Sequence, residues 1–324
     1  MNSAKMILLF GLISFCFARE TKMVMVFARH GSRYSDIESV EPSKRSQLTG
    51  NGMRMEYQLG RYIKEKFDGF LPKKFDNRRS YVIASGIDRT RQSAQSLMLG
   101  IYDFGSLSDP IEVDRKYVIP EWKDFDVEDT FKTALPEGYQ PVPVHSYYPE
   151  HNFVFTPYDP TVCPGIASRF ITKGPEVDEL NRLLPSLIGK VKAEWNYSGV
   201  VPEVKTFIDI LSLFDYAMSA KFLGKPVLSE PLLKQLLTFY SMATLVYFSD
   251  PEMMAFYTSE LNKLQLSFLE AAKKGIDEKS EEYKKLVVMV GHDLNIFLLF
   301  EQLGYTSFEC LRKKYDGVES ETCY

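Results

Sequence analysis

The sequence predicts an α/β fold in which a mostly parallel sheet is flanked by helices and carries an inserted, smaller and mainly helical subdomain. Strand and helix patterns alternate in the first hundred residues, which is typical of parallel sheets covered by helices. A further strand pattern followed by a helix pattern lies near the C-terminal end. A proline-rich segment and several helix patterns separate the two regions, so the sheet is built from both ends of the chain.

The N-terminal region supplies two strands and two helices. Residues 22–28 form a short apolar run rich in Val and Met, which predicts a buried strand. Residues 48–67 place apolar side chains at helical spacing and lysines on the opposite face, with Thr49 as the N-cap. Residues 80–85 predict a second strand, and residues 88–102 predict a second helix with one apolar face.

The middle of the chain changes character twice. Residues 103–174 are rich in Pro, Tyr, Asp and Gly, and because their prolines interrupt any long element we expect loops there. Helix patterns then return over residues 177–192, 203–223, 231–248 and 251–274. The last of these has Asp250 as N-cap, Pro251 at its first position and Gly275 after its end.

The C-terminal region returns to the strand and helix pattern. Residues 285–290 predict an apolar strand, and residues 294–303 predict a helix. We therefore assign residues 19–102 and 226–324 to the α/β core. Residues 103–225 are the predicted insertion, a loop-rich and helical subdomain.

Composition excludes several classes of protein. The chain has 324 residues, of which 45% are hydrophobic and 25% charged, which is ordinary for a globular protein. Such apolar content excludes a mainly disordered chain, and the composition is neither collagen-like nor typical of a coiled coil. The net charge of −4 argues against a nucleic-acid partner, since binding through counterion release requires a basic surface.

Residues 1–18 have the pattern of a cleaved secretory signal peptide. Lys5 is their only charge, the apolar run of residues 6–17 follows, and Ala18 ends a small-x-small site. The alternatives are a short membrane anchor and a buried first strand. No later stretch of about 20 uninterrupted apolar residues exists, so we expect no membrane anchor and a location outside the cell or in the lysosomal or vacuolar lumen.

The cysteines and histidines argue for disulfide chemistry and against a metal site. Cys163, Cys310 and Cys323 would remain after signal removal, and in an oxidising compartment one bridge and one free thiol is the simplest outcome. No histidine has metal-ligand spacing, and no phosphate-binding glycine loop is present, so we expect no metal and no cofactor. Asn196 begins an N-glycosylation acceptor sequence, although such sequences also match by chance.

Basic and acidic side chains follow three of the predicted strands. In an open α/β sheet, ligands bind beyond the carboxyl ends of the strands. The residues that these three strand ends deliver are Arg29, His30, Arg33, Arg89, His292 and Asp293. Guanidinium groups match phosphate oxygens, an imidazole can attack phosphorus, and a carboxylic acid can protonate a leaving alcohol. Each residue alone has an ordinary explanation, so the prediction depends on the whole cluster.

These motifs resemble the histidine acid phosphatase family, a branch of the histidine phosphatase superfamily. The sequence Arg-His-Gly-x-Arg at residues 29–33 and the pair His292-Asp293 carry the resemblance. It extends over residues 23–310 and is strongest to the prostatic and lysosomal acid phosphatases. Further matching segments are Gln47-Leu48-Thr49 with Gly52, residues 59–63, Ser85 with Asp88-Arg89-Thr90, residues 141–145, and Cys163-Pro164.

The resemblance implies a role for each residue of the cluster. His30 would be the nucleophile that forms a phosphohistidine, and Asp293 would protonate the leaving group. The residues expected to bind the phosphate are Arg29, Arg33, Arg89 and His292. The implied activity is that of an acid phosphatase, a hydrolase of phosphate monoesters, and the implied partners are phosphorylated small molecules or phosphopeptides. The sequence leaves a homodimer open.

Two alternative functions remain at this point. A phytase-like inositol phosphate phosphatase of the same family would have a strongly basic pocket, which a net charge of −4 does not support. An inactive secreted protein that binds phosphorylated ligands would not need all six residues, and all six are intact. A phosphoglycerate mutase shares the Arg-His-Gly motif, but the signal peptide and the position of His292-Asp293 argue against it.

Some positions depart from the family pattern. Tyr34-Ser35 and Leu294-Asn295 replace the pairs usual in the family, at positions that line the pocket rim there, so substrate preference is expected to differ. The family's usual partner for Cys310 is not evident, so we expect the bridge between Cys163 and Cys323. For His145, on a family landmark, we expect packing in a loop.

Overall fold

The computed structural model describes most of the chain, with gaps. The described residues are 16–17, 20–35, 41–105, 133–148, 152–156, 159, 162–195, 203–278, 280 and 283–318. Most of the predicted signal peptide, the acceptor Asn196 and the thiol of Cys323 lie outside these residues.

The strands form a short hairpin and one parallel sheet. The hairpin pairs β1 (Cys16–Phe17) with β2 (Glu20–Thr21) in antiparallel fashion. The parallel sheet contains β3 (Val24–Arg29), β4 (Ser80–Ala84) and β5 (Leu286–Gly291), in the order β3-β5-β4. The three predicted strands and the α/β fold class are therefore confirmed, with the C-terminal strand between the two N-terminal ones.

The register of the sheet brings the three strand ends to one level. Ala28 of β3 and Ala84 of β4 both pair with Val290 of β5. Beyond β3, the backbone N–H of His30 still donates to the carbonyl of Gly291 at 3.0 Å. The segments that follow β3, β4 and β5 therefore start side by side. We call these segments the carboxyl edge.

Two helices from the N-terminal region pack together beside the sheet. They are α1 (Gly50–Lys66), capped by the side chain of Thr49 as predicted, and α2 (Asp88–Ile101). The helices cross at very short range, because a Cβ on Gly60 would lie 2.0 Å from the carbonyl oxygen of Leu97. Both helices contribute to the apolar cluster on one face of the sheet.

Four helices follow in the middle of the chain. They are α3 (Pro175–Glu194), α4 (Ile210–Phe222), α5 (Glu230–Tyr247) and α6 (Pro251–Asp277). Helix α4 begins later than predicted, because the side chain of Asp209 accepts from the backbone N–H groups of Lys205 and Thr206 and holds that segment in a turn. Helix α6 is capped by Asp250 as predicted but continues past Gly275, whose Cα lies against the ring of Tyr283.

Two helices close the described chain. Helix α7 (Asp293–Gln302) directly follows β5, and α8 (Phe308–Tyr315) begins at its N-cap Ser307. Helix α8 was not predicted from the sequence, because it buries only Leu311 and so shows a weak apolar pattern. No helix in the described ranges combines the length and the apolar character needed to cross a bilayer.

The sheet has a helix layer on each face, and further helices form a separate apolar cluster. Helices α1 and α2 cover one face, while α6 and α7 cover the other. This separate cluster, which we call the helical cluster, joins α3, α4, α5 and α8. It therefore unites helices from both sides of residue 225, while the division of the chain into core and insertion stays a prediction.

The predicted disulfide is wrong. Cys163 is a free thiol, so it does not pair with Cys323. Cys310 is the disulfide-bonded cysteine among the described residues. The pairing was expected because the family's usual partner for Cys310 is not evident, and that gives no distance, whereas a bridge requires the two Cα atoms to lie within about 7 Å.

Candidate active site

The carboxyl edge brings the predicted site residues together. The rings of His30 and His292 meet edge to face with their centroids 5.6 Å apart. Arg29 Nε lies 3.6 Å from Oδ2 of Asp293. The charge of Arg89 also acts on both histidine rings. Strand ends that are far apart in sequence thus form one cationic cluster with a carboxylate beside it.

The hydrogen bonds of His30 fix its tautomer. The ring is buried, and Nδ1 lies 2.8 Å from the carbonyl oxygen of Gly31. Because a carbonyl oxygen only accepts, Nδ1 must carry the proton. The other nitrogen, Nε2, therefore keeps its lone pair, which a nucleophilic imidazole needs.

The surroundings of His30 keep it uncharged. Burial is the largest effect that lowers the pKa of His30 well below its usual value, followed by the charges of Arg29 and Arg89 and by His292. Burial, followed by Arg89, likewise lowers the pKa of His292. Neither imidazole is therefore protonated in mildly acidic solution, and the lone pair of His30 stays available there.

The loop that carries His30 is packed tightly against the start of α1. A Cβ on Gly31 would lie 2.3 Å from the carbonyl oxygen of Gly52, so only glycine fits. The backbone N–H of Gly31 donates to Oγ of Ser93 at 3.0 Å, and the Thr49 hydroxyl donates to the carbonyl of Ser32 at 2.9 Å. These contacts fix the position of the imidazole relative to α1 and α2.

Polar groups hold two of the arginines. Arg33 donates through Nη1 to the carbonyl of Tyr34 at 3.0 Å, and its Nη2 lies 2.9 Å from Oδ1 of Asp215 on α4. Arg89 donates through Nη1 to Oγ of Ser46 at 2.9 Å. Burial raises the pKa of Asp215, while the Arg33 and Arg29 charges oppose that change. The two guanidinium groups are thus oriented before any anion binds.

Asp293 lies at the start of α7, and both of its carboxyl oxygens accept hydrogen bonds. Tyr240 of α5 donates its hydroxyl to Oδ2 at 2.8 Å, and the backbone N–H of Leu294 donates to Oδ1 at 3.1 Å. Burial by itself would raise the pKa of Asp293, but Arg29, the Tyr240 hydrogen bond and His292 together lower it. Asp293 is therefore a carboxylate in the empty site near neutral pH.

A hydrogen-bond network orients His292. Its Nε2 lies 3.0 Å from Oγ of Ser85, which lies 2.8 Å from Oγ1 of Thr90. Its backbone N–H donates to Oδ1 of Asn295 at 2.7 Å, and Nδ2 of Asn295 donates to the carbonyl of Phe155 at 3.0 Å. The turn between β5 and α7 is therefore held in place from both sides.

Two expectations about the pocket rim need correction. Asn295 is fully buried and orients the backbone of His292, because the first turn of α7 points it inwards. Ser35 is also buried, and its hydroxyl lies 3.1 Å from Oδ2 of Asp215. At Ser35 and Asn295, the departures from the family pattern therefore concern support of the site.

Two residues of the site, Asp215 and Tyr240, were not predicted from the sequence. Both come from helices of the separate apolar cluster, and neither lies near a recognised motif. Asp215 could have been suspected, because it is a single carboxylate between two buried aromatic residues of an apolar helix. No comparable signal marks Tyr240.

Outside the cluster, the remaining candidates have plain roles. The ring of His145 stacks on Tyr81 with centroids 4.7 Å apart, which is the packing role predicted for it. No group of three or more His, Cys, Asp or Glu side chains in the described part of the chain is arranged to hold a metal ion.

The chain belongs to the histidine phosphatase superfamily (branch 2), whose family model matches residues 38–315. The lysosomal acid phosphatase of Xenopus laevis is 33% identical over 104 residues, which are 30% of this chain and 24% of that protein. The human prostatic acid phosphatase is 32% identical over 93 residues, covering 26% of this chain and 24% of that protein. The chain thus spans about a quarter of the length of the curated relatives it matches.

Solved structures show the same fold. The phytase of Hafnia alvei in complex with tartrate has a TM-score of 0.54 at 16% identity, covering 87% of this chain and 75% of that one. The phytase of Klebsiella sp. ASR1 has a TM-score of 0.53 at 16% identity, covering 86% of this chain and 71% of that one. At this identity the likeness concerns the fold alone.

Proposed function

We propose that this protein is an acid phosphatase that hydrolyses phosphate monoesters through a phosphohistidine at His30. The observation that carries the proposal is the state of that imidazole. Its Nδ1 proton is held by the carbonyl of Gly31, and burial, followed by the charges of Arg29 and Arg89, lowers its pKa and keeps it neutral. The curated relatives named as acid phosphatases support the same activity.

The proposed reaction has two displacements. Nε2 of His30 attacks phosphorus, the bond between phosphorus and the ester oxygen breaks, and protonated Asp293 gives its proton to the departing alcohol. Water then attacks the phosphohistidine, Asp293 takes a proton from that water, and the bond to Nε2 breaks. Arg29, Arg33 and Arg89 neutralise the charge on the phosphoryl oxygens in both steps, with His292 as a further contact.

The same groups explain why the reaction would favour acid. The nucleophile stays neutral in mildly acidic solution, because burial and neighbouring cations lower the pKa of His30. Asp293 must be protonated to act as an acid, but the charge of Arg29 helps to lower its pKa in the empty site. A bound phosphate dianion adds negative charge beside Asp293 and raises its pKa, so the complex is competent only in acidic solution.

We also propose that the protein is exported, with residues 1–18 as a cleaved signal peptide and Asn196 as a glycosylation site. A lumenal or secreted location suits an enzyme with an acidic optimum. The names of the lysosomal and prostatic relatives support this location.

The test is release of phosphate from a chromogenic aryl phosphate at about pH 5, close to the pKa range of carboxylic acids. We expect His30→Ala to lose at least ~10³-fold in rate, as a group acting in a catalytic unit does. The matched control is His145→Ala, a histidine outside the cluster, which should keep wild-type activity. Full activity in His30→Ala, or equal losses in both variants, would refute the proposal.

A panel of phosphopeptides, sugar phosphates and inositol phosphates would then define the substrate class. We expect preference for simple monoesters over inositol hexakisphosphate. The reason is that Arg33 is already paired with Asp215, which reduces the positive charge available to a polyanion. Strong preference for inositol hexakisphosphate would favour the phytase-like alternative.

A further inference from the structure

Tyr240 joins the separate helical cluster to the carboxyl edge. It lies on α5, and its ring stacks on Phe214 with centroids 4.3 Å apart. A second ring, that of Phe297 on α7, lies 5.9 Å away. The phenol is therefore buried between aromatic side chains, and its hydroxyl meets Oδ2 of Asp293 at 2.8 Å.

The chemistry of the two groups fixes the direction of this hydrogen bond. Burial, and then the negative charge of Asp293, raise the pKa of Tyr240 well above its usual value, so the phenol keeps its proton. An ionised carboxylate can only accept. Tyr240 is therefore the donor, and Oδ2 of Asp293 is the acceptor.

The two oxygens of Asp293 consequently differ. Oδ2 faces the Tyr240 hydroxyl at 2.8 Å and the Arg29 guanidinium at 3.6 Å, whereas Oδ1 accepts one longer bond of 3.1 Å from the backbone of Leu294. A proton added to the carboxylate avoids the oxygen that already has a strong donor and a cation. Oδ1 is therefore the oxygen that becomes protonated.

We propose that Tyr240 is the positioning residue for the general acid: by holding Oδ2 of Asp293, it leaves Oδ1 to carry the proton that the leaving group receives. The inference rests on the proposed function. Tyr240 acts through Asp293 and need not touch the substrate. A helix of the helical cluster would thus orient an acid that lies at the carboxyl edge.

The surroundings of Asp293 predict the direction of the pH effect. Among the described residues, four titratable or charged groups interact electrostatically with Asp293. They are Arg29 of β3, Asp215 of α4, Tyr240 of α5 and His292 in the turn before α7. Tyr240 stabilises the carboxylate, so its loss should raise the pKa of Asp293. The acid would then stay protonated to higher pH, and the alkaline limb of the rate profile should move upwards.

The experiment compares Tyr240→Phe with Tyr247→Phe. Phenylalanine keeps the stacked ring and removes only the hydroxyl, and Tyr247 on the same helix stacks on Phe170 without contacting the acid. An alkyl phosphate needs the proton donor, whereas an aryl phosphate with an electron-withdrawing group does not. For Tyr240→Phe we expect about a 10-fold loss of kcat on the alkyl ester, less than about 2-fold on the aryl ester, and an alkaline limb about 0.5–1 pH unit higher. Tyr247→Phe should match the wild type.

A second measurement is independent of turnover. The carboxyl carbon of Asp293 is titrated by NMR in aspartate-labelled protein without substrate, with Asp293→Asn to assign the signal. We expect the pKa of Asp293 to rise in Tyr240→Phe and to stay unchanged in Tyr247→Phe. If the wild type hydrolyses neither ester, the proposed function fails, while this titration still tests the contact.

Three results would overturn the inference. They are an unchanged pKa of Asp293 in Tyr240→Phe, an alkaline limb that does not move, and equal losses on the two esters, which would indicate a purely structural role. If Tyr240→Phe does not fold, 3-fluorotyrosine at position 240 replaces it. This residue is a stronger donor, so it should lower the pKa of Asp293 and move the alkaline limb downwards, and no movement would overturn the inference as well.

Discussion

The carboxyl edge and the helical cluster contribute differently to the site. The edge supplies the nucleophile candidate His30 and most of the positive charge, on segments that follow buried strands. The helical cluster supplies Asp215 and Tyr240, which hold Arg33 and Asp293 respectively. In the proposed reaction, the edge thus carries the reacting groups, and the helices carry the groups that orient them.

The difference follows from side-chain length and mobility. Backbone pairing in the sheet places the Cα atoms of the edge, but a long arginine side chain loses rotamer entropy when it is held in one position. A carboxylate or hydroxyl from another element provides the contact that offsets this loss. Changes at the edge should therefore remove catalysis, whereas changes in the helices should misplace groups that remain present.

The largest effect among these variants is expected for Arg89→Ala, a change at the edge. Removing a cation that neutralises transferring charge should reduce kcat/KM by ~10²–10³-fold. Arg91→Ala is the matched control, because Arg91 lies on the same helix and pairs with exposed Asp88. Phosphate release at acidic pH measures the rates of both variants. Similar losses would show that the charge of Arg89 has no specific role in catalysis.

Asp293→Asn should have the next largest effect, and only for poor leaving groups. Asparagine keeps the shape of the side chain but cannot donate a proton as an acid. We expect a loss of ~10²-fold on an alkyl phosphate and less than ~10-fold on an activated aryl phosphate. Steady-state rates on the two esters decide the matter. Equal losses would mean that the proton comes from elsewhere.

A smaller effect is expected for Asp215→Asn, a change in the helical cluster. Arg33 would lose its 2.9 Å ion pair but remain at the edge. We expect KM to rise by about 10-fold with a lesser change in kcat, since a charged hydrogen bond worth ~1.5–3 kcal/mol orients the binding group. Asp178→Asn, an exposed aspartate of α3, is the control. A fall in kcat as large as that of Arg89→Ala would erase the distinction between the two regions.

The smallest effect on turnover is expected for Glu56→Gln on α1, which should change stability. Glu56 is buried with Oε2 unpartnered, and burial raises its pKa to about 8. Between its unfolded pKa of about 4.5 and this value, the folded state holds a proton that the unfolded chain has lost, so stability falls as pH rises through that window. Glutamine removes this dependence and should add on the order of a few kcal/mol at pH 8 and little at pH 4.

Urea unfolding of wild type and Glu56→Gln at several pH values measures the effect. The exposed Glu65→Gln on the same helix is the control and should follow the wild type. A stability difference that is the same at acid and alkaline pH would show that Glu56 does not titrate in this window. The result would also show whether the fold is more stable in acidic solution because of Glu56.

The two regions also differ in how far their site residues can be predicted from the sequence. His30, His292 and Arg89 could be found because each follows a short apolar strand, and parallel strands end at one edge. Asp215 and Tyr240 could not, because their contacts depend on how α4 and α5 pack against the sheet, which local periodicity does not encode. For the same reason Asn295 was placed on the rim, although the first turn of α7 buries it.

The fold itself was largely accessible from the sequence. Three strands and seven of the helices have strong apolar patterns, and their caps at Thr49 and Asp250 hold the predicted helix starts. Helix α8 was not predicted because it is short and mostly polar. The predicted bridge between Cys163 and Cys323 was wrong, because it was inferred from the missing family partner of Cys310, which gives no distance in space.

The central claim is that His30 becomes covalently phosphorylated, and trapping the phosphoenzyme tests it most directly. Protein is mixed with a ³²P-labelled monoester at acidic pH, quenched within milliseconds under denaturing alkaline conditions, and digested for peptide mapping. The account predicts acid-labile label on the peptide that contains His30, in wild type and in Asp293→Asn, and none in His30→Ala. Label on another residue, such as acid-stable label on a serine, would contradict it.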